Sequence, residues 1–110
     1  MHTQALAFFE QIAKNATDKA VLAGAYNGLG RCYFEQQNWK EALLSFLRVV
    51  ILYSDDPGQT AMALYYAGRS YHNLKGPEWK ERARSLLREC TSKYGGTWGK
   101  LADEELQKIR

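Results

Sequence analysis

Tyr26-Asn27-Gly28-Leu29-Gly30-Arg31-Cys32-Tyr33, followed by Ala42-Leu43-Leu44-Ser45-Phe46, is the stretch that decides the fold of this chain. Tyr26, Leu29, Gly30 and Tyr33 fall on one helical face, and Ala42, Phe46, Val49 and Tyr53 fall on another. Both sets return. Leu64, Ala67, Gly68 and Tyr71 repeat the first at a shift of 38 residues, and Ala83, Leu87, Cys90 and Tyr94 repeat the second at a shift of 41. Spacing inside each half is kept, so the difference lies in the turn between them. A repeat of this length made of two apolar-periodic segments is the signature of a helical solenoid, in which each unit buries its face only against its neighbours.

Working outward, the periodicity predicts six helices and no strand. The first, about Thr3 to Asn15, sets Ala5, Phe9 and Ile12 on one side, the spacing of Ala42, Phe46 and Val49. It therefore reads as the second half of a repeat whose first half is missing. Thr17 or Asp18 can cap the second helix, which runs to about Gln36 with Leu22, Ala25, Tyr26, Leu29 and Tyr33 inward. Gly30 recurs as Gly68, where a missing side chain would let a partner helix come close. Asn38 and Glu41 form a capping box for the third helix, which carries Trp39 in its first turn. Asp56 and Pro57 start the fourth, to about Leu74, and the fifth runs from about Glu78 to Tyr94. After Gly95-Gly96, Thr97 can cap a last helix with Leu101, Leu106 and Ile109 on one side and Asp103, Glu104, Glu105, Lys108 and Arg110 on a polar outer face. The expected organisation is one domain over 1–110, cut from a longer protein. It comprises a trailing half repeat at 3–15, full repeats at 18–54 and 57–94, and a capping helix at 97–110.

A formal charge of +3 is too mild for a dedicated nucleic-acid binder. Lys80, Arg82, Arg84 and Arg88 are interleaved with Glu78, Glu81 and Glu89, which describes a solvated face. No run is apolar and long enough to cross a membrane. The N-terminus has no charged segment followed by an apolar core, so no signal peptide is expected. Cys32 and Cys90 lack metal-ligand spacing and lie near apolar stripes, as buried free thiols do.

The pattern aromatic, Leu-Gly, Tyr, then Ala-x3-Phe resembles tetratricopeptide repeats. Tyr26, Leu29-Gly30, Tyr33, Ala42 and Phe46 carry the likeness closely. The second copy departs from it, with Leu64 for the aromatic, Ala67 for the Leu and Leu87 for the Phe. The ending Tyr94-Gly95-Gly96-Thr97-Trp98-Gly99-Lys100-Leu101-Ala102 is similar to a subgroup found in bacterial cell-envelope proteins, which leans the localisation toward the periplasm. The resemblance implies an all-α solenoid of antiparallel helix pairs wound into a right-handed superhelix. The first helix of each pair would line a concave groove. The implied role is non-catalytic scaffolding, with a protein or peptide partner held in that groove and no cofactor.

The groove-facing candidates are Asn27, Arg31 and Phe34 on the second helix and Tyr65, Arg69 and His72 at the shift of 38 on the fourth. Arginine offers planar, multi-donor recognition of carboxylates, and aromatics give rigid contact. An acidic or C-terminal group would suit Arg31 and Arg69. Pairing of these arginines with Glu35 and other nearby acids on a solvated face is the competing use. The Lys/Asn set of the family's carboxylate-clamp members is missing, which disfavours chaperone-tail binding. Leu6, Phe8 and Phe9 on the first helix offer a face for a second copy of the chain.

His72 has no Ser or Cys nucleophile at a suggestive spacing, and Asp55-Asp56 and Glu104-Glu105 read as caps and a solvated face. No catalytic, cofactor or metal residues are assigned. Two other functions use the same helices: a repeat that reads single-stranded nucleic acid by stacking on Phe34 and Tyr65, and a spacer that only positions other domains.

Overall fold

The computed structural model describes residues 2–109. It contains α1 (His2–Asn15), α2 (Lys19–Glu35), α3 (Trp39–Leu52), α4 (Pro57–Leu74), α5 (Trp79–Glu89) and α6 (Gly96–Lys108), with a π-helical turn at Cys90–Tyr94. Among the described residues there is no strand. Arg110, placed on the outer face of the last helix from the sequence, lies outside the described residues.

Local chemistry sets most of the boundaries. Asp18, not Thr17, caps α2, its carboxylate accepting from the backbone N–H groups of Ala20 at 2.8 Å and Val21 at 3.1 Å. Asp56 accepts from Gln59 N–H at 3.0 Å, with Pro57 in the first turn of α4. The capping box expected of Asn38 and Glu41 does not form, because Asn38 makes no side-chain cap bond. The end of α2 has already used the backbone N–H of Asn38, which donates to Tyr33 C=O at 2.9 Å, while Gln37 N–H donates to Phe34 C=O at 2.9 Å. With Gln37 at a φ of 62°, this is a Schellman ending in which a glutamine takes the usual glycine position. Glu41 is left with no Asn38 N–H to reach.

The fifth helix also departs from the expectation. Its α-helical part stops at Glu89, and Gly95 N–H closes a wider turn onto Cys90 C=O at 3.2 Å. Thr91 and Ser92 hydroxyls both donate to Arg88 C=O, at 2.9 and 2.8 Å, and so compete for the carbonyls of this turn. Gly95 (φ 61°, ψ −145°) then reverses the chain and caps α6, so Thr97 lies inside that helix.

Packing follows the repeated stripes. Ala42, Phe46 and Val49 are buried with Ala63 and Ala67 between α2, α3 and α4, and Leu64, Ala83, Leu87, Cys90, Ala102 and Ile109 form the next core. Each fully buried aliphatic or aromatic side chain contributes about 1.5–3 kcal/mol. A Cβ on Gly30 would come within 2.7 Å of the Phe46 ring, and one on Gly68 within 2.6 Å of Leu87. The two glycines thus admit the side chain of the following helix at the same place in each pair. Cys32 and Cys90 are buried and free. Burial, with Glu89 nearby, pushes the Cys90 thiol up to about 11.

The helices form two layers. In the inner one α2 meets α4 and α4 meets α6, while the outer helices α1, α3 and α5 do not pack directly on one another. Helices that touch on one side and splay on the other leave the inner surface as the one a partner would follow. The result is an all-α, tetratricopeptide-like solenoid.

Candidate partner-binding face

The inner surface of α2 and α4 is built from reciprocal contacts. Arg31 of α2 lays its guanidinium over the Tyr66 ring of α4, 5.2 Å from the centroid. Arg69 of α4 lies over Phe34 of α2 at 4.8 Å and over Tyr65 at 5.6 Å. Phe34 meets Trp39 and Tyr66 edge to face, and Tyr66 stacks on Phe46 of the core at 5.3 Å. Trp98 of α6 continues the aromatic surface, 5.7 Å from Tyr65 and 5.9 Å from Tyr66. A guanidinium held flat on a ring keeps its edge N–H groups directed outward in a fixed plane.

The six residues singled out from the sequence thus separate into three kinds. Arg31 is exposed and Phe34 half-buried on the inner surface. Tyr65 is largely buried, and that burial pushes its phenol above the ordinary tyrosine range, with Arg69 opposing the shift. Asn27 is not a surface group. It is 1% exposed, and its amide donates to Gln59 C=O at 2.9 Å and to the Gln59 side-chain oxygen at 2.7 Å, tying α2 to the first turn of α4.

Arg69 and His72 meet a residue that the sequence reading set on a solvated face. Glu105 of α6 is only 7% exposed. One carboxylate oxygen lies 2.7 Å from His72 Nδ1. The other is 3.8 Å from Arg69 Nε and 3.6 Å from Lys108 Nζ. The Arg69 contact is an ion pair without a hydrogen bond, since Arg69 Nε is buried with no partner in bonding range. On its far side His72 stacks on Trp79, at 5.1 Å and nearly parallel, with Lys75 Nζ 4.4 Å above that indole. Glu105 is buried because Trp98, Ala102 and Ile109 turn the same side of α6 toward α4. A signal for it existed. A further shift of 34 residues maps Leu64, Ala67, Gly68 and Tyr71 onto Trp98, Leu101, Ala102 and Glu105, which places Glu105 at an inward position.

The pairwise likeness between the helix pairs has a counterpart in known proteins. Residues 28–56 match the tetratricopeptide repeat family model. The matched stretch runs from the second half of α2 through α3 to the cap of α4, and it contains Arg31, Phe34 and the Gly30–Phe46 contact. No curated protein and no solved structure matches the chain. Tetratricopeptide repeats generally mediate protein–protein interaction and are typically non-catalytic. Among the described residues no group of three or more His, Cys, Asp or Glu is placed to hold a metal ion, and no helix is long and apolar enough to cross a membrane.

Proposed function

We propose that this chain is a protein-interaction scaffold that holds an acidic peptide segment, or a chain end, on the inner surface of α2 and α4. Arg31 is the principal anchor in this reading, and Phe34 and Tyr66 form the floor. The observation that carries it is the exposed Arg31 guanidinium seated on Tyr66, which makes a planar cation with little conformational freedom left to lose on binding. Arg69 and His72 take a supporting part, because Glu105 already neutralises them. Asn27 acts beneath the surface, fixing α2 against α4.

Selection of a displayed random-peptide library on the folded chain tests this reading. The expected result is enrichment of sequences with Asp, Glu or a free C-terminal carboxylate. Enrichment of basic or purely apolar sequences contradicts it.

A further inference from the structure

A second surface lies on the outside of α3. Leu44, Ile51 and Leu52 are 49%, 71% and 55% exposed there, and with Leu47 and Arg48 they line a depression of about 300 Å3. α3 packs on α2 and α4 alone, so this side is open. The fold does not demand apolar residues at these places. A shift of 41 residues sets Ser85, Arg88, Ser92 and Lys93 at the same positions of the next outer segment, and all four are exposed. The aliphatic stripe therefore belongs to α3 and not to the architecture.

Its spacing and charges indicate the occupant. Leu44, Leu47 and Ile51 are spaced by three and four, the seam of two helices lying side by side. Exposed Lys40 stands in the first turn of α3, and exposed Asp55 just beyond its last. Both oppose the helix macrodipole, which favours acids at the start, as Glu41 is, and bases at the end. Helix stability does not explain those two charges, but self-complementarity does. An antiparallel second α3, centred between Leu47 and Arg48, sets Lys40 of each chain against Asp55 of the other and Leu44 against Ile51. Arg48 does not obstruct this pairing. Its guanidinium is drawn back over Tyr26, 5.2 Å from the ring centroid and 3.5 Å from the hydroxyl, which leaves its methylenes at the seam.

We propose that α3 is a self-association surface on which a second copy of this chain lays its own α3 antiparallel, forming a twofold homodimer. Sedimentation equilibrium on the whole chain tests it. The wild type is expected to dimerise at micromolar concentration. Ile51→Glu, and separately Leu44→Gln, should each weaken the dimer about tenfold or more while leaving the helical circular dichroism unchanged. Lys40→Glu alone and Asp55→Lys alone should weaken it, and the two together should restore it. A wild type that stays monomeric at about 200 μM overturns the proposal. So does a dimer that survives Ile51→Glu, or one lost instead on Phe8→Glu in α1. A charge-swapped pair no tighter than its single variants overturns the antiparallel register.

Discussion

Arg31 and Arg69 occupy equivalent places 38 residues apart, and they meet different surroundings. Arg31 is exposed on Tyr66. Arg69 is half-buried between Phe34 and Tyr65 and ion-paired to Glu105. The cause is the neighbouring helix. α4 has α6 beside it on the inner layer, and α6 brings a carboxylate into the surface. A repeat therefore determines which side chain faces inward, while the next helix along determines whether that side chain serves the fold or is left for a ligand.

The largest effect that bears on this comparison acts below it. Phe46 is fully buried, fills the space left by Gly30, and supports Tyr66, on which Arg31 rests. Phe46→Ala should cost about 3–5 kcal/mol in urea denaturation. A loss under about 1 kcal/mol would mean that the two helix pairs do not share the packing described.

A smaller effect separates the two arginines. Glu105→Ala removes the counter-charge of Arg69 and His72 and should cost about 1–3 kcal/mol, reduced from a fully buried pair because Arg69 and His72 retain some solvent. Arg31→Ala should cost less than about 0.5 kcal/mol, as exposed substitutions do. Equal costs for the two variants would remove the distinction between a closed and an open end.

The inner-surface contrast was only half legible in the sequence. Stripe spacing announced the helix pairs, the glycine–side-chain contacts and the inward placing of Arg31 and Arg69, because these follow from a period of 3.6 residues. Asn27 was misplaced since periodicity cannot show that Gln59, from the next helix, folds over it. Glu105 was misplaced because a charged residue in an acidic run reads as solvated unless its partners are known, and those partners lie 33 and 36 residues earlier. The absent capping box at Asn38 has the same origin, a backbone N–H already used by the preceding helix.

The smallest effect falls on one pair alone. The core position of Val49 is taken in the second pair by Cys90, which can ionise. Burial favours its thiol form, so its folded-state pKa of about 11 exceeds the reference value of 9.0. That contribution to stability is fully present below pH 9 and is lost as pH rises through 11. By pH 10 the wild type should have lost about 1 kcal/mol more than Cys90→Ala, each relative to its own stability at pH 8. Parallel pH profiles for the two proteins would show that the thiol is not held in its neutral form.

The central claim, that the open end of the inner surface holds the partner, is tested most directly by the affinity of a library-selected acidic peptide for wild type, Arg31→Glu and Arg69→Glu, measured by fluorescence anisotropy. All three proteins would first be shown to be folded by circular dichroism. The account predicts that Arg31→Glu weakens binding at least about thirtyfold, or about 2 kcal/mol, and that Arg69→Glu weakens it less. Unchanged affinity in Arg31→Glu, or a larger loss in Arg69→Glu, would contradict it.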